Sequence, residues 1–222
     1  SIKQYVKAIT DFSLTPRGIL SDQSLINKHF NNLPFTKKEI EELSKFFRNN
    51  KLLLSSEANE KQIKNLDLKK YEIISFATHA VVSGKLEGFN EPFLVLTPPK
   101  LSSELNDGIL TASEISQLKL NANVVILSAC NTASKENQYS PGFSGLVASF
   151  IKAGSKNVIA THWQVADKAS SIMIIETFKK TIKKKINLSQ SLQETKKEFI
   201  QGKYGKKYKN PVYWASYVII GD

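Results

Sequence analysis

The sequence predicts an α/β protein, a mostly parallel sheet with helices on both faces. Short apolar runs alternate along the chain with amphipathic stretches of helical period, the pattern of strands linked by covering helices. At 222 residues the chain suits one domain with one sizeable core. Three of the apolar runs also end abruptly on a thiol or an imidazole, and strand ends in such sheets are where ligand sites form.

The elements follow in order. YVKAI (Tyr5 to Ile9) is the first strand, followed by a loop containing Pro16 and Gly18. Thr36 to Asn50 reads as a helix with Ile40, Leu43, Phe46 and Phe47 on one stripe, and Thr36 and Glu39 have the spacing of a capping box. A short strand KLLLSS comes next, then a helix from about Ala58 to Leu66 and the strand YEIISFATH. Between Ala80 and Leu110, Gly84, Gly88, Pro92, Pro98, Pro99 and Gly108 punctuate an apolar FLVL, which predicts a hairpin and loops. Thr111 to Leu118 is a short capped helix leading into NVVILSAC, and a loop to Ser140 precedes the helix Gly142 to Gly154, closed by a glycine cap. The strand NVIATH, helices from about Asp167 to Lys185 and from Leu188 to about Gln201, and the strand YWASYVII complete the chain.

Composition excludes several classes of function. No apolar run approaches the roughly 18 residues that span a bilayer, no secretory signal is evident, and one cysteine allows no internal disulfide. A soluble protein of the reducing cytoplasm is expected, without a membrane partner. The net charge of +11 is compatible with nucleic acid, but the densest lysines (Lys179 to Lys185, Lys196 with Lys197, Lys206 to Lys209) fall on two amphipathic helices and their connection. Aromatic stacking platforms do not alternate with them, so these lysines read as solvated helix faces or a surface for an acidic partner, not as a direct nucleic-acid site. GFSG lacks the pattern of a phosphate loop, so Gly142 and Gly145 read as small residues for close packing. One cysteine and three scattered histidines form no zinc set, and no cofactor is expected.

The chemistry concentrates at strand ends. YEIISFATH ends at His79, NVVILSAC at Cys130 and NVIATHW near His162. A thiol is mostly protonated at neutral pH, and a neighbouring imidazole generates the attacking thiolate, so two residues suffice for nucleophilic catalysis. His79 precedes Cys130 by 51 residues, close to the separation of about 50 known as a caspase signature. The competing reading of Cys130 is a small buried hydrophobe closing a strand.

Five segments in order, LPFTKKEIEEL, FATHA, LSACNT, GFSGLVASFIKAGSKNVIATHWQVAD and PVYWASYVIIGD, resemble the CHAT domains, caspase-like cysteine peptidases often fused to tetratricopeptide repeats. Separase is similar in the CNT and AGSKNVIATHWQVAD regions. The resemblance implies a caspase-like three-layer sandwich, with His79 as general base, Cys130 as nucleophile, and the backbone amides of Ala80 and Cys130 as oxyanion hole. The family has Gly where this chain has Ala80; alanine keeps the N–H but is strained by about a kilocalorie or more if the turn requires positive φ.

The resemblance further implies that Asp167 lies at the base of a specificity pocket, pairing with an Arg or Lys side chain before the scissile bond. The alternative for Asp167 is an N-cap, since a helix begins there. His162 and Trp163 are read as packing or substrate-contact residues, Trp214 as core or pocket wall, and His29 as an exposed loop residue. Residues 1–222 would be a single peptidase domain lacking its N-terminal part, excised from a larger protein whose upstream repeat or sensor region governs access to the site. The substrate would be a polypeptide. A catalytically silent interaction module and a nucleotide-binding domain are the competing functions, the second without a glycine-rich loop to support it.

Overall fold

The computed structural model describes residues 5–9, 33–83, 90–97, 106–128, 130–131 and 143–221. The sequence features at Pro16, Gly18, His29, Gly84, Gly88, Pro98, Pro99 and Gly142, and the 132–140 loop, lie outside them.

A six-stranded sheet forms the centre: β1 (Tyr5–Ile9), β2 (Asn50–Leu53), β3 (Ile73–Ala77), β7 (Val124–Leu127), β9 (Asn157–Thr161) and β10 (Tyr217–Gly221). Its order is β10-β9-β7-β3-β1-β2, parallel throughout except for β10, which runs antiparallel to β9. A second sheet, β6-β5-β4-β8, comprises β4 (His79–Val81), β5 (Phe93–Val95), β6 (Ile109–Thr111) and β8 (Cys130–Asn131). The long strands expected to run into His79 and Cys130 are therefore each two strands, one in either sheet. The hairpin expected between Ala80 and Leu110 is the antiparallel β4-β5-β6 part of the second sheet.

Strand periodicity divides the core in two. Ile74, Phe76, Val125 and Leu127 face one apolar cluster with α2 (Glu60–Asn65), α3 (Ala112–Gln117) and α4 (Phe143–Lys152). Ile73, Val124 and Ile126 face the other, against α1 (Pro34–Ser44), α5 (Asp167–Lys184) and α6 (Leu188–Gln201). Helices on both faces give the three layers of a caspase-like α/β sandwich. Among the described residues no helix is long and apolar enough to cross a membrane.

Local chemistry explains the boundaries. Thr111 caps α3, and Glu114 completes the capping box. The box expected at Thr36 and Glu39 does not form, because α1 starts two residues earlier at Pro34, whose fixed φ suits a first helical position. That helix also stops at Ser44 rather than Asn50; the Asn50 side-chain amide donates to the carbonyls of Ser44 (3.2 Å) and Phe47 (2.8 Å), and the residue opens β2. Gly154, at φ +111, turns the chain out of α4. A Cβ on Gly145 would stand 2.7 Å from Pro92 Cγ, so a small residue is required there for helix and loop to meet.

A polar cluster ties α2 to α3. Lys64 Nζ donates to Glu60 and, at 2.7 Å, to Glu114, while Glu60 Oε2 also accepts from the Asp107 amide at 2.9 Å. Burial raises the Glu60 carboxyl to about 7 against the pull of Lys64.

Phe76 is 2% exposed and its ring centroid lies 5.2 Å from that of Phe150 on α4. Phe76→Ala is expected to cost about 3–5 kcal/mol through cavity formation three residues before His79, measured by urea denaturation; a loss below about 1 kcal/mol would mean this core does not anchor β3.

Candidate active site

The site begins with strand register. Along β3 and β7 the partners are Ile73 with Val124 and Phe76 with Leu127; beyond the break between sheets, His79 pairs with Cys130. Each partner on the second strand is 51 residues after its mate, so the two strands cross from one sheet to the other together and keep their alignment. Neighbouring strands lie about 4.8 Å apart, the closest spacing two extended backbones adopt. The separation of 51 residues noted in the sequence is the register offset of two adjacent parallel strands.

Hydroxyl groups hold both crossings. Thr78, buried between β3 and β4, donates from Oγ1 to the Val95 carbonyl of β5. Ser128, the first residue after β7, donates from Oγ to Glu39 Oε1 of α1 at 2.8 Å. Glu39 is 1% exposed. Neither Ser128 nor Glu39 was singled out from sequence as a site residue, although the signal existed: Glu39 lies four residues before Leu43 and seven before Phe46, a carboxylate on the apolar stripe of an amphipathic helix.

His79 is wholly buried, at 0% exposure. Ala80 follows it within β4, in register with Asn131 of β8 and Leu94 of β5. Among the described residues, the non-glycine residues with positive φ are Ser55 and Lys185, so Ala80 carries no left-handed strain at the position where the sequence resemblance implies glycine.

Asp167 sits elsewhere in the arrangement than at its own helix cap. It is the first residue of α5, after an Ala166 N-cap that contributes no side-chain bond. Its carboxylate reaches across to α1: Oδ2 accepts from the Phe35 amide at 2.7 Å and Oδ1 from Thr36 Oγ1 at 3.3 Å. Leu33, the N-cap of α1, has no side chain able to do this, so Asp167 caps a neighbouring helix. Burial raises the Asp167 carboxyl above its ordinary value, opposed by those two neutral donors. Among the described residues no Lys or Arg forms an ion pair with it.

His162 lies one residue beyond β9, the strand beside β7, and is exposed; its amide donates to the Ser216 carbonyl at 3.0 Å. Trp163 is half-buried against the second apolar cluster, and its Nε1 donates to the Val212 carbonyl at 3.0 Å. Trp214, half-buried in the same cluster, donates from Nε1 to the Lys209 carbonyl at 3.1 Å. The fold thus brings His79, Ala80 and Cys130 into one patch of paired backbone, Asp167 to the start of α1, and His162 with Trp163 to the end of β9. Among the described residues no three His, Cys, Asp or Glu side chains converge as metal ligands.

The architecture is shared with several solved structures. Over 99% of this chain, the backbone is similar to separase in the Saccharomyces cerevisiae separase-securin complex, with a TM-score of 0.53 and 13% identity, spanning 12% of the separase chain. It is similar over the same 99% to Porphyromonas gingivalis RgpB in the complex of its pro- and mature domains (TM-score 0.54, 10% identity, 47% of that chain), and to the Arg specific cysteine proteinase gingipain R (0.53, 11%, 46%). At such identities the likeness is one of fold, and the chain spans under half the length of each. No curated protein sequence matches it. The family model of the CHAT domain matches residues 11–222, and the chain belongs to that family.

Removing the Asp167 carboxylate uncaps α1. Asp167→Ala is expected to lower stability by about 1 kcal/mol, and Asp167→Asn by less, because its side-chain carbonyl still accepts from Phe35. Equal losses in both variants by chemical denaturation would contradict the capping role.

Proposed function

We propose that the chain is a cysteine endopeptidase in which Cys130 is the nucleophile and His79 the general base. The observation that carries this reading is the register pair His79 and Cys130, which sets the two backbones side by side at strand ends, with the relation unbroken from β3 and β7. Ala80 supports it as well: its backbone geometry is available to alanine without strain, so the departure from glycine costs the site nothing in conformation.

The reaction follows from these groups. His79 takes the Cys130 thiol proton, and the thiolate attacks the scissile carbonyl to give a tetrahedral oxyanion facing the amides of Ala80 and Cys130. His79 then gives its proton to the departing amine as the C–N bond breaks, leaving a thioester. Water, its proton taken by His79, attacks that thioester and releases the carboxylic acid and the thiol. The substrate is a polypeptide.

Asp167 would select a basic side chain before the scissile bond. A half-buried carboxylate whose donors among the described residues are neutral gains a charge-assisted partner when a guanidinium or ammonium arrives. Its raised carboxyl has a consequence for pH: the ionised form that pairs with the cation is present above that raised value and is lost as pH falls through it. His162 and Trp163, at the end of β9, would contact the substrate beside it.

The complete burial of His79 favours a second reading, a silent interaction module that keeps the fold. Incubation with a mixed peptide library, with cleavage mapped by mass spectrometry, separates the two. Cleavage after Arg or Lys is expected, abolished in Cys130→Ala and reduced by about a hundredfold or more in His79→Ala, with far-ultraviolet circular dichroism unchanged. For basic substrates kcat/KM is expected to fall on the acid side, and Asp167→Asn to flatten that limb and remove the preference. Cleavage retained in Cys130→Ala would reject the peptidase, and a folded wild type that cleaves nothing would favour the silent module.

A further inference from the structure

We infer that Glu39 is a positioning residue for the nucleophile strand: its buried carboxylate, by holding Ser128 Oγ, fixes the point at which the chain leaves β7 for the segment bearing Cys130. The inference deepens the peptidase reading and rests on it. Ser128 is two residues before Cys130, at the crossing from the six-stranded sheet to β8. Its neighbour strand crosses with Thr78 tied to a strand carbonyl, which moves only if β5 moves. Ser128 is tied instead to a side chain on a helix.

That helix is itself held at its start. Asp167 grips Phe35 and Thr36 in the first turn of α1, and Glu39 lies three residues beyond Thr36, so a single turn of helix joins the specificity carboxylate to the nucleophile strand. A short rigid element of this kind suits a site whose reacting atoms must meet within a fraction of an ångström. The carboxylate at position 39 lies 1% exposed beside buried Thr36, Ile40 and Leu43, where burying a charge carries a desolvation cost that an apolar side chain would not.

The test uses the full chain and two readouts, peptide cleavage and the pH dependence of Cys130 alkylation by iodoacetamide. Glu39→Ala and Ser128→Ala are each expected to lower kcat by about tenfold to a hundredfold with little change in KM, and to shift the alkylation profile toward that of an ordinary thiol. Glu39→Gln, which keeps an acceptor for Ser128, is expected to restore most of both. The double variant should be no worse than the poorer single one, since Ser128→Ala takes away a bond that Glu39→Ala has already removed. Should Glu39→Ala fail to fold, Ser128→Ala tests the same bond from the other side. A wild-type alkylation profile in a folded Ser128→Ala or Glu39→Ala protein, or losses that add in the double variant, would overturn the assignment. Alkylation reports on the thiol whether or not any peptide is cut, so this failure is distinct from failure of the peptidase reading, which retained cleavage in Cys130→Ala exposes.

Discussion

Alignment of two parallel strands across a gap between sheets is the constraint on which the rest of the molecule depends. A slip of one residue between β3 and β7 would move every side chain of the slipped strand to the opposite face, so the packing of Ile74, Phe76, Val125 and Leu127 against the α4 side of the core enforces the register. Because β4 and β8 keep that register, core packing several residues away also decides which residue stands beside His79. Stability and site geometry are therefore linked through one set of backbone hydrogen bonds.

A second theme is the use of carboxylates, one half-buried and one buried, as braces. Asp167 caps a helix that is not its own, and Glu39 holds a serine at a strand crossing. Both bonds end on α1, which packs against β1 of the sheet and against α5. Neutral donors stabilise such a carboxylate less than a cation does, and that difference is why burial lifts the Asp167 carboxyl.

Much of this was legible in the sequence, for identifiable reasons. Apolar runs without alternation, as in VVIL, mark strands covered on both faces, and the capping box at Thr111 and Glu114 marks a helix start; both depend on neighbours within a few residues. The family segments from Leu33 to Asp222 pointed to the CHAT fold, and the spacing of His79 and Cys130 was visible as a number before it acquired meaning as a register offset. What stayed hidden was non-local. The division of YEIISFATH and NVVILSAC between two sheets leaves no mark in periodicity, because both halves are apolar and extended. The cap of α1 comes from a residue 132 positions later in the chain, so Thr36 and Glu39 mimicked a local box while bonding elsewhere.

The central claim is that register pairing makes His79 and Cys130 a chemical pair. It is tested most directly with a peptidyl chloromethyl ketone carrying Arg next to the reactive carbon, followed by mass spectrometry of the labelled peptide. The account predicts one adduct, on Cys130, formed about a hundredfold more slowly in a folded His79→Ala protein. Equal labelling rates in the two proteins, or no adduct on Cys130 in the wild type, would contradict it.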